Sequence, residues 1–335
     1  MFEILFQAFS APSRRELIDL NHLITRMPIA PIDELQHEPS KGTISNFDRQ
    51  HEYRLEQPRR LPNLPATVGP RPAMNAADRT FVLMYHRVGE VRSAAESLYC
   101  IAPERFAAQM NLLARRGYRA VPIDALVAWL EGGPTLKKGD FVLTFDDGFL
   151  GVREYALPIL EQLGWPFTVF LVTSLLGGAD MWQRFNNLEG RRYPLLSVDD
   201  VRHMRLRGCS FHSHTETHAS LPSADDGTLA AELAGSRAAL SNLLGDHAAY
   251  LAYPYGHLDD RVESATRAAG YKAAFSVQPG FIRRDVNPFR IPRLDIFGTD
   301  TPSALLRKVR LGGNDGSLTQ VAKYYWSRVA DRWRP

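Results

Sequence analysis

Cysteine is almost absent. The chain of 335 residues holds two, Cys100 and Cys209, at no spacing that suits a thiolate metal site or a redox pair. Burial as small apolar side chains is their expected role, with a structural disulfide left open. Long apolar runs are missing too: no stretch reaches the roughly 18 residues that crossing a bilayer takes, which argues against a spanning helix. Charge of one sign is scarce, since 40 basic against 37 acidic side chains leave a net +3. That balance, without a Lys/Arg-rich block in the central region, excludes a nucleic-acid partner. The opening MFEILFQAFSAP is apolar but contains Glu3, lacks a basic start and runs into Arg14-Arg15. No secretory signal is read there, and a cytoplasmic protein, or one at the inner face of the membrane, is expected.

What is present falls into three parts. Residues 1–78 read as a largely irregular extension, with recurring prolines (Pro58, Pro62, Pro65, Pro70, Pro72) and one helical pattern from Glu16 to Met27. Residues 79–300 alternate short apolar strands with amphipathic helices. The predicted strands include Phe81–Tyr85, the run FVLTF at 141–145, Phe167–Val172, Cys209–His212, Tyr250–Tyr253 and Lys272–Ser276. Between them lie helices such as Pro103–Arg116, Ile123–Leu130, Val152–Leu163, a helix opened by Ser197 as N-cap, Thr228–Leu244 and Asp260–Ala269. Repeated strand and helix imply an α/β fold with a parallel sheet, and the strand count favours a (β/α) barrel with its site where the strands end. Residues 301–335 form a basic helical tail.

Three strand ends carry candidate chemistry. FVLTFDDG places Asp146 and Asp147 where a buried strand runs out into Gly148; adjacent side chains on a strand face opposite ways, so only a turn lets both serve one site. The strand at 209–212 leads into His-Ser-His-Thr-Glu-Thr-His, in which His214 and His218 lie four apart. That spacing suits two imidazoles gripping one ion, from a helical turn or a tight loop. Glu216 is not adjacent to the first histidine, which excludes an H-E-x-x-H protease helix. Asp147 is the available third ligand. Two histidines and a carboxylate leave open positions on a divalent metal, zinc first, with cobalt or nickel also compatible. Asp146 is then released to take a proton from the attacking water, a set suited to hydrolysing an amide or ester. Ala252-Tyr253-Pro254-Tyr255-Gly256 is a rigid aromatic turn whose amides can face an oxyanion.

In their order and separation, Thr144–Gly148, His214–His218 and Ala252–Gly256 resemble the motifs of the polysaccharide deacetylase family, carbohydrate esterases with a NodB-homology domain. The resemblance spans about Thr80 to Phe297. It implies a distorted (β/α) barrel of NodB type, a divalent metal, an acetylated glycan as partner and removal of acetyl groups from N-acetylated sugars. An O-acetyl esterase and an inactive carbohydrate-binding relative are the alternatives. Position by position, Asp146 is the implied base, Asp147, His214 and His218 the metal ligands, and Tyr255 the oxyanion donor through its backbone N–H.

The chain departs from the family pattern twice. Ala252 stands where many members have an arginine that partners the base, and Arg293, near the last strand, is the expected replacement. The late Leu-x-x-His segment that normally supplies the acid is missing, since no histidine follows His257. His86, ending the first strand in Met84-Tyr85-His86-Arg87-Val88, resembles the layout of poly-N-acetylglucosamine deacetylases and is the predicted acid, with Asp295 a candidate to tune it. The basic, aromatic-bearing tail after Ser303 reads first as a helix packed on the barrel with its charges in water, with peripheral contact with an anionic membrane as the alternative. A step in making an exopolysaccharide fits this reading better than breakdown of an external polymer.

Overall fold

The computed structural model describes residues 79–182, 190–245 and 248–320. The predicted extension at 1–78 with its helix, and the tail beyond 320, lie outside the described residues. Among the described residues ten strands run in chain order: β1 (Val82–Tyr85), β2 (Arg87–Val88), β3 (Cys100–Ile101), β4 (Arg119–Ala120), β5 (Asp140–Phe145), β6 (Phe167–Leu171), β7 (Cys209–Ser213), β8 (Tyr250–Ala252), β9 (Ala273–Phe275) and β10 (Leu294–Asp295). The main sheet has the order β10-β1-β5-β6-β7-β8-β9, with β4 attached to the start of β5, and every pairing in it is parallel.

One short segment curls the sheet into a distorted barrel. Ile291 bridges Phe275 of β9 in parallel, donating its N–H to Ala274 (3.0 Å) and accepting from Ser276 (2.8 Å). Three residues later the same segment becomes β10 and pairs with β1, Leu83 opposite Leu294 and Met84 opposite Asp295. The first and last strands are therefore neighbours, as the barrel reading required.

Strands covered on both faces read as continuous apolar runs. All six residues of β5 and all five of β6 are buried. On one face Leu83, Tyr85, Leu143, Phe145, Val169 and Leu171 pack with Phe106, Met110 and Leu113 of the helix Pro103–Arg115. The alternate set, Val82, Val142, Phe170, Tyr250 and Phe275, joins Ile123, Leu126, Val127 and Trp129 of the helix Ile123–Leu130. Tyr250, the first residue of β8, donates its hydroxyl to Asp124 (2.6 Å), which seats that helix at the amino ends of the strands as a floor.

Helix starts follow their local signals. Ser197 and Asp200 form a reciprocal capping box that opens Val198–Arg205. The helical pattern predicted at 152–163 is a wide π-type turn (Val152–Ala156) followed by Leu157–Leu163. That predicted at 228–244 begins at Asp226 and carries a π-type turn at Ala231–Gly235. The helix Pro302–Leu311 sends Leu305, Leu306 and Val309 into the main core. Its Lys308 is buried, ion-paired with Asp300 and donating to the Asp295 carbonyl (2.9 Å). Cys100 and Cys209 are buried free thiols.

Candidate metal centre

The site begins with a backbone solution to the adjacent-carboxylate problem. Asp147 and Gly148 both take left-handed φ values, 73° and 79°. These swing the chain off β5 so that two neighbouring carboxylates reach one place. Glycine suits position 148 because its φ of 79° strains other residues, and a Cβ there would also press the Leu171 side chain at 2.7 Å. Among the described residues, the non-glycine residues with positive φ are Asp147, Thr215, His218 and Tyr255. Such conformations cost of order 1–3 kcal/mol each, and here all four fall within the predicted motifs.

Asp147, His214 and His218 converge. One donor atom from each lies within 4.8 Å of the others. Both histidines turn Nε2 toward Asp147 Oδ1, at 3.4 Å and 3.3 Å. These separations are too long for good hydrogen bonds, and Oδ1 accepts none among the described residues. His214 Nδ1 lies 2.8 Å from the carbonyl oxygen of Ala252, which places the proton on Nδ1 and leaves Nε2 bare. A buried carboxylate with an unsatisfied oxygen, beside a bare imidazole nitrogen, is the donor set of a zinc-type ion. The residues fit the implied metal.

The His-Thr-Glu-Thr-His segment forms a loop, not a helical turn. Its shape is set by Glu232, a buried residue 14 positions after His218 whose carboxylate accepts the N–H groups of Glu216 (3.0 Å) and Thr217 (2.9 Å). Thr215 Oγ1 accepts the His218 N–H at 3.1 Å, and Ser213 Oγ accepts that of Thr215 at 3.0 Å.

Asp146 has a different partner. Arg293, fully buried, forks onto it with both distances 2.7 Å, and its Nε donates to the Ser276 carbonyl (3.0 Å). Arg293 thus makes the contact with Asp146 that was expected of it. Burial by itself would raise the Asp146 pKa; the guanidinium and, next, His214 outweigh it and hold the carboxyl below its ordinary range. Asp147 is also lowered, the two histidines outweighing burial. Burial pulls His218 down, whereas in His214 the same burial is outweighed by Asp147 and the pKa rises. With neutral imidazoles, Asp146, Asp147 and Arg293 leave one negative charge at the centre, which favours a cation.

His86 ends β1 half-buried, its ring edge-on to Tyr99 at 5.1 Å, and its Nδ1 has no hydrogen-bond partner among the described residues. His86 follows Tyr85, whose carbonyl accepts the Asp146 N–H at 2.9 Å, and so lies at the barrel mouth. Burial raises the Asp295 pKa, offset in part by His86. Tyr255 sits at φ 59°, its ring edge-on to His218 at 4.6 Å.

Two site residues escape local sequence reading. Trp182 stacks on His218, with centroids 4.1 Å apart and planes 15° from parallel. Its one signal was position, in a loop after a strand's carboxyl end. Glu232 gave none, being one acidic residue on an amphipathic helix. The loop that carries Trp182 is fastened to the β1 side by Tyr193, which donates its hydroxyl to buried Glu96, while Arg87 lies over the Tyr193 ring at 3.6 Å.

Comparison with known proteins agrees with this geometry. Residues 133–274 match the family model described as polysaccharide deacetylase. The poly-beta-1,6-N-acetyl-D-glucosamine N-deacetylase of Staphylococcus aureus is 24% identical over 232 residues, covering 63% of this chain and 77% of that protein. Among solved structures, the Streptococcus pyogenes deacetylase PplD in complex with acetate aligns with a TM-score of 0.59 at 23% identity, over 69% of this chain and 98% of that one. IcaB from Ammonifex degensii aligns at 0.56 and 24% identity, over 70% and 97%. These likenesses give the barrel its type, a NodB-like fold. Residues 133–274, which hold Asp146, Asp147, His214 and His218, are thus similar to polysaccharide deacetylases, and the relatives of the wider chain include a poly-N-acetylglucosamine deacetylase.

Proposed function

We propose that this protein is a hydrolase of a carbon–nitrogen bond, removing acetyl groups from N-acetylated sugars of a polysaccharide or oligosaccharide. The observation that carries the reading is the division of labour between two adjacent buried carboxylates: Asp147 faces two imidazoles, and Asp146 faces a buried arginine. Asp147, His214 and His218 would hold a divalent cation, zinc by the donor set, which when bound would supply the Lewis acidity to activate water and polarise the acyl carbonyl.

The chain's own residues supply the rest. Asp146 is kept ionised by Arg293 and takes the proton of the attacking water; its oxygens keep lone pairs beyond those the guanidinium uses. Arg293 also fixes the carboxylate's orientation, because a planar fork permits one geometry. The Tyr255 N–H is assigned to the oxyanion that forms as the water adds. His86, at the mouth, gives a proton to the departing amine. Trp182 walls the site beside His218 and excludes water from one side.

The test is acetate release from β-1,6-linked N-acetylglucosamine oligomers and from chitooligosaccharides, with the zinc content of the protein measured in parallel. Acetate appearing from a zinc-loaded sample, and lost after chelation, is the expected result. A zinc-loaded protein that frees no acetate from any acetylated glycan defeats the proposal in favour of a binding module. His86→Ala should slow turnover with zinc content unchanged; undiminished turnover removes His86 as the acid.

A further inference from the structure

The opposite end of the barrel carries a feature that deacetylation does not use. A cleft of about 350 Å³ opens beside the amino ends of β1 and β5, lined by Arg79, Arg116, Lys138 and Arg310 and by the rings of Phe81 and Tyr118. All four cations are exposed. Among the described residues none of them has an ion pair. Asp140 is the single carboxylate in the lining, and its charge is already engaged: Oδ1 lies 3.1 Å from Arg119 and Oδ2 accepts the Lys137 N–H at 2.9 Å.

Backbone packing, not chance, gathers these charges. Gly117 and Gly139 have φ values of 78° and 92°, and a Cβ on Gly139 would lie 2.7 Å from the Gly117 carbonyl oxygen. Only glycine lets the two turns lie backbone against backbone, which sets Arg116 and Lys138 on adjoining edges. Phe281 joins the other two cations. The Arg79 guanidinium lies over its ring at 3.9 Å, and Gly312, ending the helix that bears Arg310, sits so close that a Cβ would be 2.5 Å from the same ring. Four like charges held around one concave space repel each other until an anion enters.

We propose that this cleft is a binding site for a phosphate-bearing ligand. Phosphate presents several strong acceptor oxygens and more than one negative charge, which suits a cleft lined by three guanidinium side chains and an ammonium. The rings of Phe81 and Tyr118 offer an apolar flank to whatever the phosphate is attached to. The shared chemistry has two sources, a soluble phosphate ester or a phospholipid headgroup. The site is independent of the proposed deacetylation.

Two probes distinguish the sources: inorganic pyrophosphate by titration calorimetry, and sedimentation with vesicles of phosphatidylglycerol in phosphatidylcholine against phosphatidylcholine alone. Both use the full chain at low and at raised salt. Binding of at least one probe is expected, weakened by salt and by about tenfold or more in the double variant Arg116→Glu with Lys138→Glu. Pyrophosphate bound with no vesicle binding assigns a soluble phosphate; vesicle binding alone assigns a headgroup. Arg310→Glu, changing one exposed side chain on a different element, gives the same reading if the double variant melts early by circular dichroism. Failure of the wild type to bind either probe at low salt overturns the proposal, and so does unchanged binding by folded variants.

Discussion

The two ends of this barrel are built on opposite principles. At the carboxyl ends of the strands, charged groups are buried, and residues without glycine's freedom hold left-handed backbone conformations. At the amino ends an apolar helix, with Trp129 fully buried, fills the opening, and charge is left on the outside. The mouth thus stores unfavourable terms, desolvated carboxylates and strained φ angles, which the floor and the outer helices offset by ordinary packing. Damage to the two ends should therefore be felt differently, in chemistry at one and in stability at the other.

The largest expected effect comes from the paired carboxylates. Asp146→Asn should lower turnover by roughly 10²–10⁴-fold, while zinc affinity, measured by chelator competition, stays near wild type. Asp147→Asn should cost both activity and zinc. Equal loss of zinc in the two variants would erase the division of labour. At the floor, Trp129→Ala should cost about 3–5 kcal/mol of stability in urea unfolding, with the folded fraction keeping its turnover. A floor variant that stayed stable but lost catalysis would break the contrast between the ends.

A smaller effect is expected one layer behind the metal. Glu232→Gln should weaken zinc binding by about 10–100-fold, because two amides of the histidine loop lose a charged acceptor. Its readout is the zinc dissociation constant, with the unfolding midpoint measured alongside to separate loop positioning from loss of fold. The smallest effect belongs to charge left near solvent. Arg290, Asn287 and Arg267 together outweigh desolvation and lower the Glu263 carboxyl from its ordinary 4.5 to about 2. A depressed carboxyl stabilises the fold above its unfolded pKa, and that contribution fades as pH falls from 4.5 toward 2. Glu263→Gln should lower the urea midpoint near neutrality, with the difference from wild type closing as pH falls through that window.

Much of this was legible in the chain because strand and helix periods are local. The helix Ile123–Leu130 and the buried face of Phe106, Met110 and Leu113 follow from spacing alone. The Asp-Asp-Gly and His-x-x-x-His motifs were readable because the chemistry confines its groups to a few residues at a strand end. Less legible were the π-type turns at 152–156 and 231–235, which shift register by one residue without changing the helical pattern. The partner of Asp146 came partly by elimination, from the missing arginine at Ala252, and its bidentate geometry could not be read from any spacing.

The sequence by itself determined the alternation of strand and helix, the family motifs and the residue types able to hold a metal. It could do so because periodicity, turn chemistry and ligand identity are properties of short segments. Tertiary structure alone decided that Arg293 faces Asp146 across 147 positions, that Trp182 stacks on His218, that Glu232 braces the histidine loop, and that four cations border one cleft. These pairings depend on barrel closure, on strand register and on close backbone contacts between distant turns. Such terms link residues far apart in the chain, and no local pattern records them.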